Sequence, residues 1–159
     1  MPRISPGSAG GKNMCAFLDM IAWSEGTSRV KGSDDGYNVL VGGRLFAGYA
    51  DHPREVIEVR PGLYSTAAGR YQLLARYFDY YKRELNLPDF APISQDKIAI
   101  QQIKERNAIQ AISGGHLDDA IRLCANIWAS LPGAGYGQHE NSIAELADAY
   151  CHAGGVSMA

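Results

Sequence analysis

A chain of 159 residues with 46% hydrophobic and 20% charged residues is the size of one domain that can bury a proper core. Its net charge of −2 and the lack of any Lys/Arg cluster give a nucleic acid nothing to hold. No apolar run is long enough to span a bilayer, and four scattered histidines and three cysteines outside any C-x-x-C spacing argue against a metal site.

Residues 1–12, M-P-R-I-S-P-G-S-A-G-G-K, lack the apolar h-region of a secretory signal and read as a flexible N-terminal arm. The remainder, 13–159, reads as a single catalytic domain. From residue 13, Met14, Phe17, Leu18, Ile21 and Ala22 recur at three- and four-residue steps, the stripe of an amphipathic helix. The next position on that stripe is Glu25, followed by Gly26, a natural helix-ending residue. Partial desolvation and the negative end of the helix dipole both favour a protonated Glu25, as a general acid requires.

A polar loop through Asp34 and Asp35 comes next. Residues 37–47 then suggest two short strands around a Gly42-Gly43 turn, and 55–60 a third strand ended by Pro61-Gly62. Four helices follow: over 69–85, from an N-cap at Ser94 to about 107, over 117–131, and from a Ser142/Glu145 capping box to Gly154. Cys15, Cys124 and Cys151 each fall within an apolar helical pattern, which implies buried free thiols. A small β region beside a helical body is an α+β arrangement whose two parts could flank a cleft.

Three segments accompany Glu25 as candidate chemistry. The small-residue loop from Ser65 leads to Tyr71 and Gln72, whose amide could both donate to and accept from a sugar. Tyr136 projects from the glycine-rich loop 133–137, where a ring could stack on a sugar. That loop follows a helix and Pro132, so it is no dinucleotide fingerprint. Asp34 and Asp35 could supply a second carboxylate, although acidic residues beside Gly36 also serve simply as turn formers.

At these segments the chain resembles the lambda-type bacteriophage endolysins, lysozyme-like lytic transglycosylases. The resemblance rests on A-F-L-D-M at 16–20, A-W-S-E-G-T at 22–27, V-G-G at 41–43, D-H-P-R at 51–54, the stretch from S-T at 65–66 through Q-L-L at 72–74, Q-Q-I-K-E-R at 101–106 and the block 127–138, I-W-A-S-L-P-G-A-G-Y-G-Q. It implies a lysozyme-like fold and cleavage of the MurNAc-β-1,4-GlcNAc bond of peptidoglycan, with the muramic C6 hydroxyl closing a 1,6-anhydro ring. It implies Glu25 as the single catalytic residue and Tyr71, Gln72 and Tyr136 as substrate-binding residues of the cleft. It further implies no cofactor, no metal and no stable membrane insertion. The expected protein is a monomer held in the host cytoplasm until a holin opens a path to the periplasmic peptidoglycan. One departure stands out: lambda relatives carry an aspartate where this chain has Asn38. The readings left beside this one are a hydrolytic muramidase pairing Glu25 with Asp34 or Asp35, and a non-catalytic peptidoglycan-binding module.

Overall fold

The axis of the fold is α2 (Lys12–Ser24), against which α1 (Pro6–Ala9), α5 (Ile109–Ser113) and α7 (Ile143–His152) all pack in a computed structural model describing residues 1–135, 137 and 139–158. The sequence suggests one apolar face for this helix. The structure instead buries Met14 through Leu18, Met20, Ile21, Ala22 and Ser24, because neighbours surround the helix on several sides. Glu25 caps it in a helical conformation, its N–H donating to the Ile21 carbonyl at 2.8 Å. Gly26 then reverses the chain at φ +79°.

The hairpin expected around Gly42-Gly43 is present in its shortest form, a single bridge between Val39 and Leu45. The longer ribbon lies further on: β1 (Ile57–Arg60) pairs antiparallel with β2 (Leu63–Ser65) across the Pro61-Gly62 turn, with Ile57 opposite Ser65. The sequence reading lacked β2 because its three residues are too few to show alternation.

The helix expected over 69–85 begins only at α3 (Ala75–Glu84). Residues 68–73 close a tight turn in which Ala68 and Leu73 exchange N–H···O bonds of 3.1 and 2.9 Å, with Gln72 at φ +53°. α4 (Pro92–Glu105) starts two residues before the expected cap, with proline in its first turn, and Ser94 bonds Asp89 from inside the helix. The helix expected over 117–131 stops at α6 (Leu117–Cys124), after which the chain turns and Trp128 Nε1 donates to the Tyr71 carbonyl at 3.1 Å. At α7 the capping box of Ser142 and Glu145 is complete.

Two apolar clusters result among the described residues. One gathers α2 with residues from α5, α6 and α7; the other joins Leu40, Leu73, Phe78, Leu87, Phe90 and Ile98 beside the ribbon. α4 serves both, giving Ile98 to the second and Ala99 and Ile103 to the first. The same helix carries Asp96, fully buried, whose carboxylate accepts from Arg3 N and Ile4 N, both at 2.9 Å, from the Tyr37 hydroxyl at 2.8 Å and from the Tyr71 hydroxyl at 2.6 Å. Residues 1–12, expected as a flexible arm, are therefore folded onto the body: Ile4 and Ala9 belong to the first cluster, and Ser5 caps α1. The Met1 ammonium adds ion pairs to Asp35 at 2.7 Å and Asp19 at 3.2 Å. Backbone donors do most of this work, and backbone donors leave no mark in sequence.

Of the three thiols, Cys15 and Cys124 are buried as expected, and burial pushes Cys124 up to about 12. Cys151 is exposed: α7 turns Leu146 and Tyr150 inward, and the position after Tyr150 lies off that face.

Asp96→Ala should strand the Ile4 N–H and two buried tyrosine hydroxyls, while Arg3 N keeps a second acceptor in the Tyr37 hydroxyl at 3.0 Å. A fall of about 3–5 kcal/mol in unfolding free energy is expected, the range for removing one partner of a buried charged network. Urea denaturation measures it, and a change below about 1 kcal/mol would contradict the central role given to this carboxylate.

Candidate active site

Glu25 sits where the last turn of α2 meets the loop that follows α6. The residue keeps some exposure, but its carboxyl is enclosed by protein, and burial pushes its pKa up to about 7. A side-chain hydrogen bond from Ser130 acts the other way, favouring the ionised form. Each residue of the S-E-G-T segment has a separate task. Ser24 Oγ lies 2.8 Å from Ser130 Oγ, and Gly26 supplies the left-handed turn. Thr27 Oγ1 donates to the Arg70 carbonyl at 2.6 Å, tying the end of α2 to the 68–73 turn. Gly36 makes this junction possible, since a Cβ there would lie 2.9 Å from the Thr27 backbone.

Arg70 fixes the turn from within. It is 1% exposed, donating to Asp19 at 2.6 Å, to the Asp35 carbonyl at 2.9 Å and to the Tyr71 hydroxyl at 3.0 Å. Beside the turn, Tyr71, Gln72, Leu74, Tyr77, Asn126 and Trp128 line a cavity of about 200 Å³.

The residues expected to bind substrate fare differently. Tyr71 is a core side chain: it is buried, and its hydroxyl is committed to Asp96 and Arg70, so it supports the cavity wall instead of offering a free ring or hydroxyl. Gln72 spends its amide nitrogen on the Val39 and Gly69 carbonyls at 3.2 and 2.9 Å, which turns the expected two-way amide into a turn clasp with only its oxygen in reserve. Tyr136 lies outside the described residues. The start of its loop is anchored by Glu140, whose carboxylate accepts from Gly133 N and Gly135 N, each at 3.1 Å.

The proposed second carboxylates are both engaged elsewhere. Asp34 pairs with Arg3 and accepts from the Tyr49 hydroxyl at 2.7 Å, while Asp35 pairs with the Met1 ammonium. Asn38 has a structural place too, its Oδ1 accepting from Asp34 N at 2.7 Å. Sequence reasoning did not single out Ser24, Ser130, Asn141, Arg70 or Asp96. Ser24 could have been found, as it stands directly before Glu25; Asn141, a lone amide 117 positions from its partner Ser24, offered no signal.

Comparison with solved structures gives the class. A bacteriophage lambda lysozyme complexed with a chitohexasaccharide superimposes with a TM-score of 0.91 at 51% identity, covering 99% of this chain and 100% of that one. A second structure of lysozyme from bacteriophage lambda gives 0.87 at 49% identity with the same coverage. The fold is thus lysozyme-like α+β. The endolysin of Escherichia phage lambda is 56% identical over 143 residues, spanning 89% of this chain and 90% of the relative. The endolysin of Escherichia phage P2 is 47% identical over 156 residues, spanning 91% and 94%. The family model for endolysins matches residues 15–157, and the chain belongs to the endolysin family. It is a lysozyme-like phage enzyme of peptidoglycan degradation.

The raised pKa of Glu25 carries a stability consequence. Its folded value of about 7 exceeds the ordinary 4.5, so the folded state is favoured fully below 4.5 and loses that advantage as pH rises through 7. A glutamine does not titrate. Glu25→Gln should therefore gain stability relative to the parent on going from pH 4 to pH 8, by up to roughly 3 kcal/mol at 1.36 kcal/mol per unit. Thermal melts of both proteins across that range test the sign; parallel curves would show a carboxyl that is not desolvated.

Proposed function

We propose that the chain cleaves the MurNAc-β-1,4-GlcNAc bond of peptidoglycan without water, leaving a 1,6-anhydro-muramic end, and so lyses the host cell. Glu25 acts twice. Protonated, it gives its proton to the glycosidic oxygen as the bond from that oxygen to muramic C1 breaks. Ionised, it takes the proton of the C6 hydroxyl as that oxygen bonds to C1, and it returns to its starting form. The nucleophile belongs to the substrate, which makes the second step intramolecular.

One observation carries this reading: Glu25 closes α2 with its carboxyl enclosed by protein, and burial raises its pKa to about 7, as suits one group that gives a proton and takes one back. Hydrolysis by either usual route needs a partner carboxyl roughly 5–9.5 Å away, and a charge that near would raise the acid further. The ion pairs of Asp34 and Asp35 give both a structural occupation instead. Family membership supports the remainder: a glycan strand as the substrate, a monomer without cofactor or metal, and residence in the host cytoplasm until a holin releases it.

Glu25→Gln should fold and lose lytic activity by a factor of about 10²–10⁴ or more, since one group serves both steps. Mass spectrometry of muropeptides released by the parent enzyme should find 1,6-anhydro ends, each lighter by one water than a hydrolysed fragment and resistant to borohydride. Asp34→Asn and Asp35→Asn should stay active. Reducing-end muramic acid as the main product, with inactivation by either change, would establish the muramidase instead.

Tyr136 keeps its assignment as a sugar-stacking residue on the strength of its place in the 127–138 motif. Tyr136→Ala should weaken chito-oligosaccharide binding with little change in melting temperature. A large drop in melting temperature at unchanged affinity would assign the ring to the core.

A further inference from the structure

The two-step reaction leaves the Q-Q-I-K-E-R stretch at 101–106 without a task. Ile103 is fully buried and joins the last turn of α4 to the core. Beside it, Gln102, Glu105 and Arg106 line the cavity of about 200 Å³ together with Gln72, Tyr77 and Trp128. Two of those walls also abut the acid. Gln72 belongs to the 68–73 turn, which Thr27 Oγ1 ties to the end of α2 through the Arg70 carbonyl at 2.6 Å. Trp128 belongs to the loop whose Ser130 Oγ lies 2.8 Å from the Oγ of Ser24, the residue before Glu25.

The cavity holds polar groups that the fold does not use. The guanidinium of Arg106, exposed after the last turn of α4, makes no hydrogen bond or ion pair among the described residues. The side-chain amide of Gln102, half-buried, makes none either. Gln72 spends its amide nitrogen on Val39 and Gly69 and keeps its oxygen as an acceptor. Glu105 differs from these three: its carboxyl oxygens take the Tyr81 hydroxyl at 2.6 Å and the Gln101 amide at 3.2 Å, and it forms no ion pair with its neighbour Arg106. Tyr77, 44% exposed, adds a ring.

A glycan strand is uncharged apart from the stem peptides on its muramic lactyl groups, which carry free carboxylates between amide bonds. A neutral sugar has no use for an unpaired guanidinium, whereas a carboxylate is what its planar fork of donors fits. The uncommitted amide of Gln102 and the spare oxygen of Gln72 suit the N–H and C=O groups of a peptide. The cavity lies below the roughly 300–1,000 Å³ of pockets that enclose a whole small ligand, so it takes only a small part of the substrate. We propose that this cavity binds the stem peptide of peptidoglycan, with a peptide carboxylate on Arg106, a peptide N–H on the Gln72 oxygen and a further peptide group on Gln102. The proposal rests on peptidoglycan being the substrate, and it makes strands that bear peptides the preferred form.

Two soluble substrates test it: glycan strands with their stem peptides, and the same strands stripped by an N-acetylmuramoyl-L-alanine amidase. The parent should have a KM about tenfold lower on the peptide-bearing strands, the scale of one hydrogen bond to a charged group. Arg106→Gln should raise that KM about tenfold at unchanged kcat and leave the stripped strands unaffected. Gln102→Leu should act in the same direction by a smaller factor. Arg106→Lys, which keeps the charge without the fork, should recover part of the loss. In a second measurement, NMR titration of the parent with the released peptide should shift the Arg106 guanidinium and Gln102 amide signals. An equal effect of Arg106→Gln on both substrates, an effect on neither, or a titration that moves neither signal would overturn the proposal. A lower melting temperature with both KM values unchanged would assign Arg106 to the end of α4, where a cation meets the negative end of the helix dipole. The titration involves no bond cleavage, so the two readings fail separately. Shifted signals in a protein whose Glu25→Gln variant still lyses cells would keep the peptide site and remove the acid assignment.

Discussion

The buried carboxylate of Asp96 is the interaction on which the arrangement of the site depends. A fully buried charge is tolerated only when its acceptor sites are filled, and here two backbone N–H groups and two tyrosine hydroxyls fill them. Each donor brings a different part of the chain to α4. Arg3 and Ile4 bring the N-terminal segment, Tyr37 the loop before the short hairpin, and Tyr71 the turn beside the cavity. From Tyr71 the constraint passes on through covalent and hydrogen bonds. Its neighbour Arg70 is clamped by Asp19, and the Arg70 carbonyl receives Thr27, two residues beyond Glu25. The acid is thus located by a rigid polar core as well as by the helix that carries it.

That core explains why Tyr71 departs from its expected place on the cleft surface. A tyrosine in a glycine-flanked loop next to a binding motif is equally suited to face a ligand or to fill a charge network, and the sequence contains no mark to separate the two. Gln72 shows the same ambiguity. Its left-handed backbone conformation is sparsely populated for a residue other than glycine, and its side chain is used to clasp the turn that imposes it. The motif match around these residues reflects the need to build the turn, whatever further contacts their remaining polar atoms make.

What could be read from sequence follows a simple division. Helix α2, its end at Glu25 and Gly26, and the capping box that opens α7 are written in local periodicity and local hydrogen bonds, and both helices stand as expected. The folded N-terminal segment was not legible, because its anchor is Asp96, more than ninety positions away, acting on main-chain donors. Nor was the early stop of α6. The apolar pattern continues through Trp128 and Leu131, but those side chains reach the core from a turn in which the Trp128 ring nitrogen takes the Tyr71 carbonyl. Periodicity reports which residues are buried; it does not report whether a helix or a folded-back loop buries them. Glu25 was legible for the opposite reason, since its place at the end of the apolar stripe follows from helical periodicity.

An acid that must give and then recover the same proton is best served by an environment that penalises neither form heavily. A neighbouring arginine or lysine would hold Glu25 ionised and weaken it as a donor; a neighbouring carboxylate would hold it protonated and weaken it as a base. Burial alone favours the neutral form, and a neutral hydroxyl that donates to the carboxyl moderates that preference without introducing charge. The balance places Glu25 at about 7, close to the pH at which the two proton transfers proposed for it would run with similar ease. In the proposed mechanism Ser130 would contribute by being uncharged. A single glutamate with hydroxyl neighbours is the arrangement that a substrate carrying its own nucleophile permits, because no second carboxylate is required to activate water.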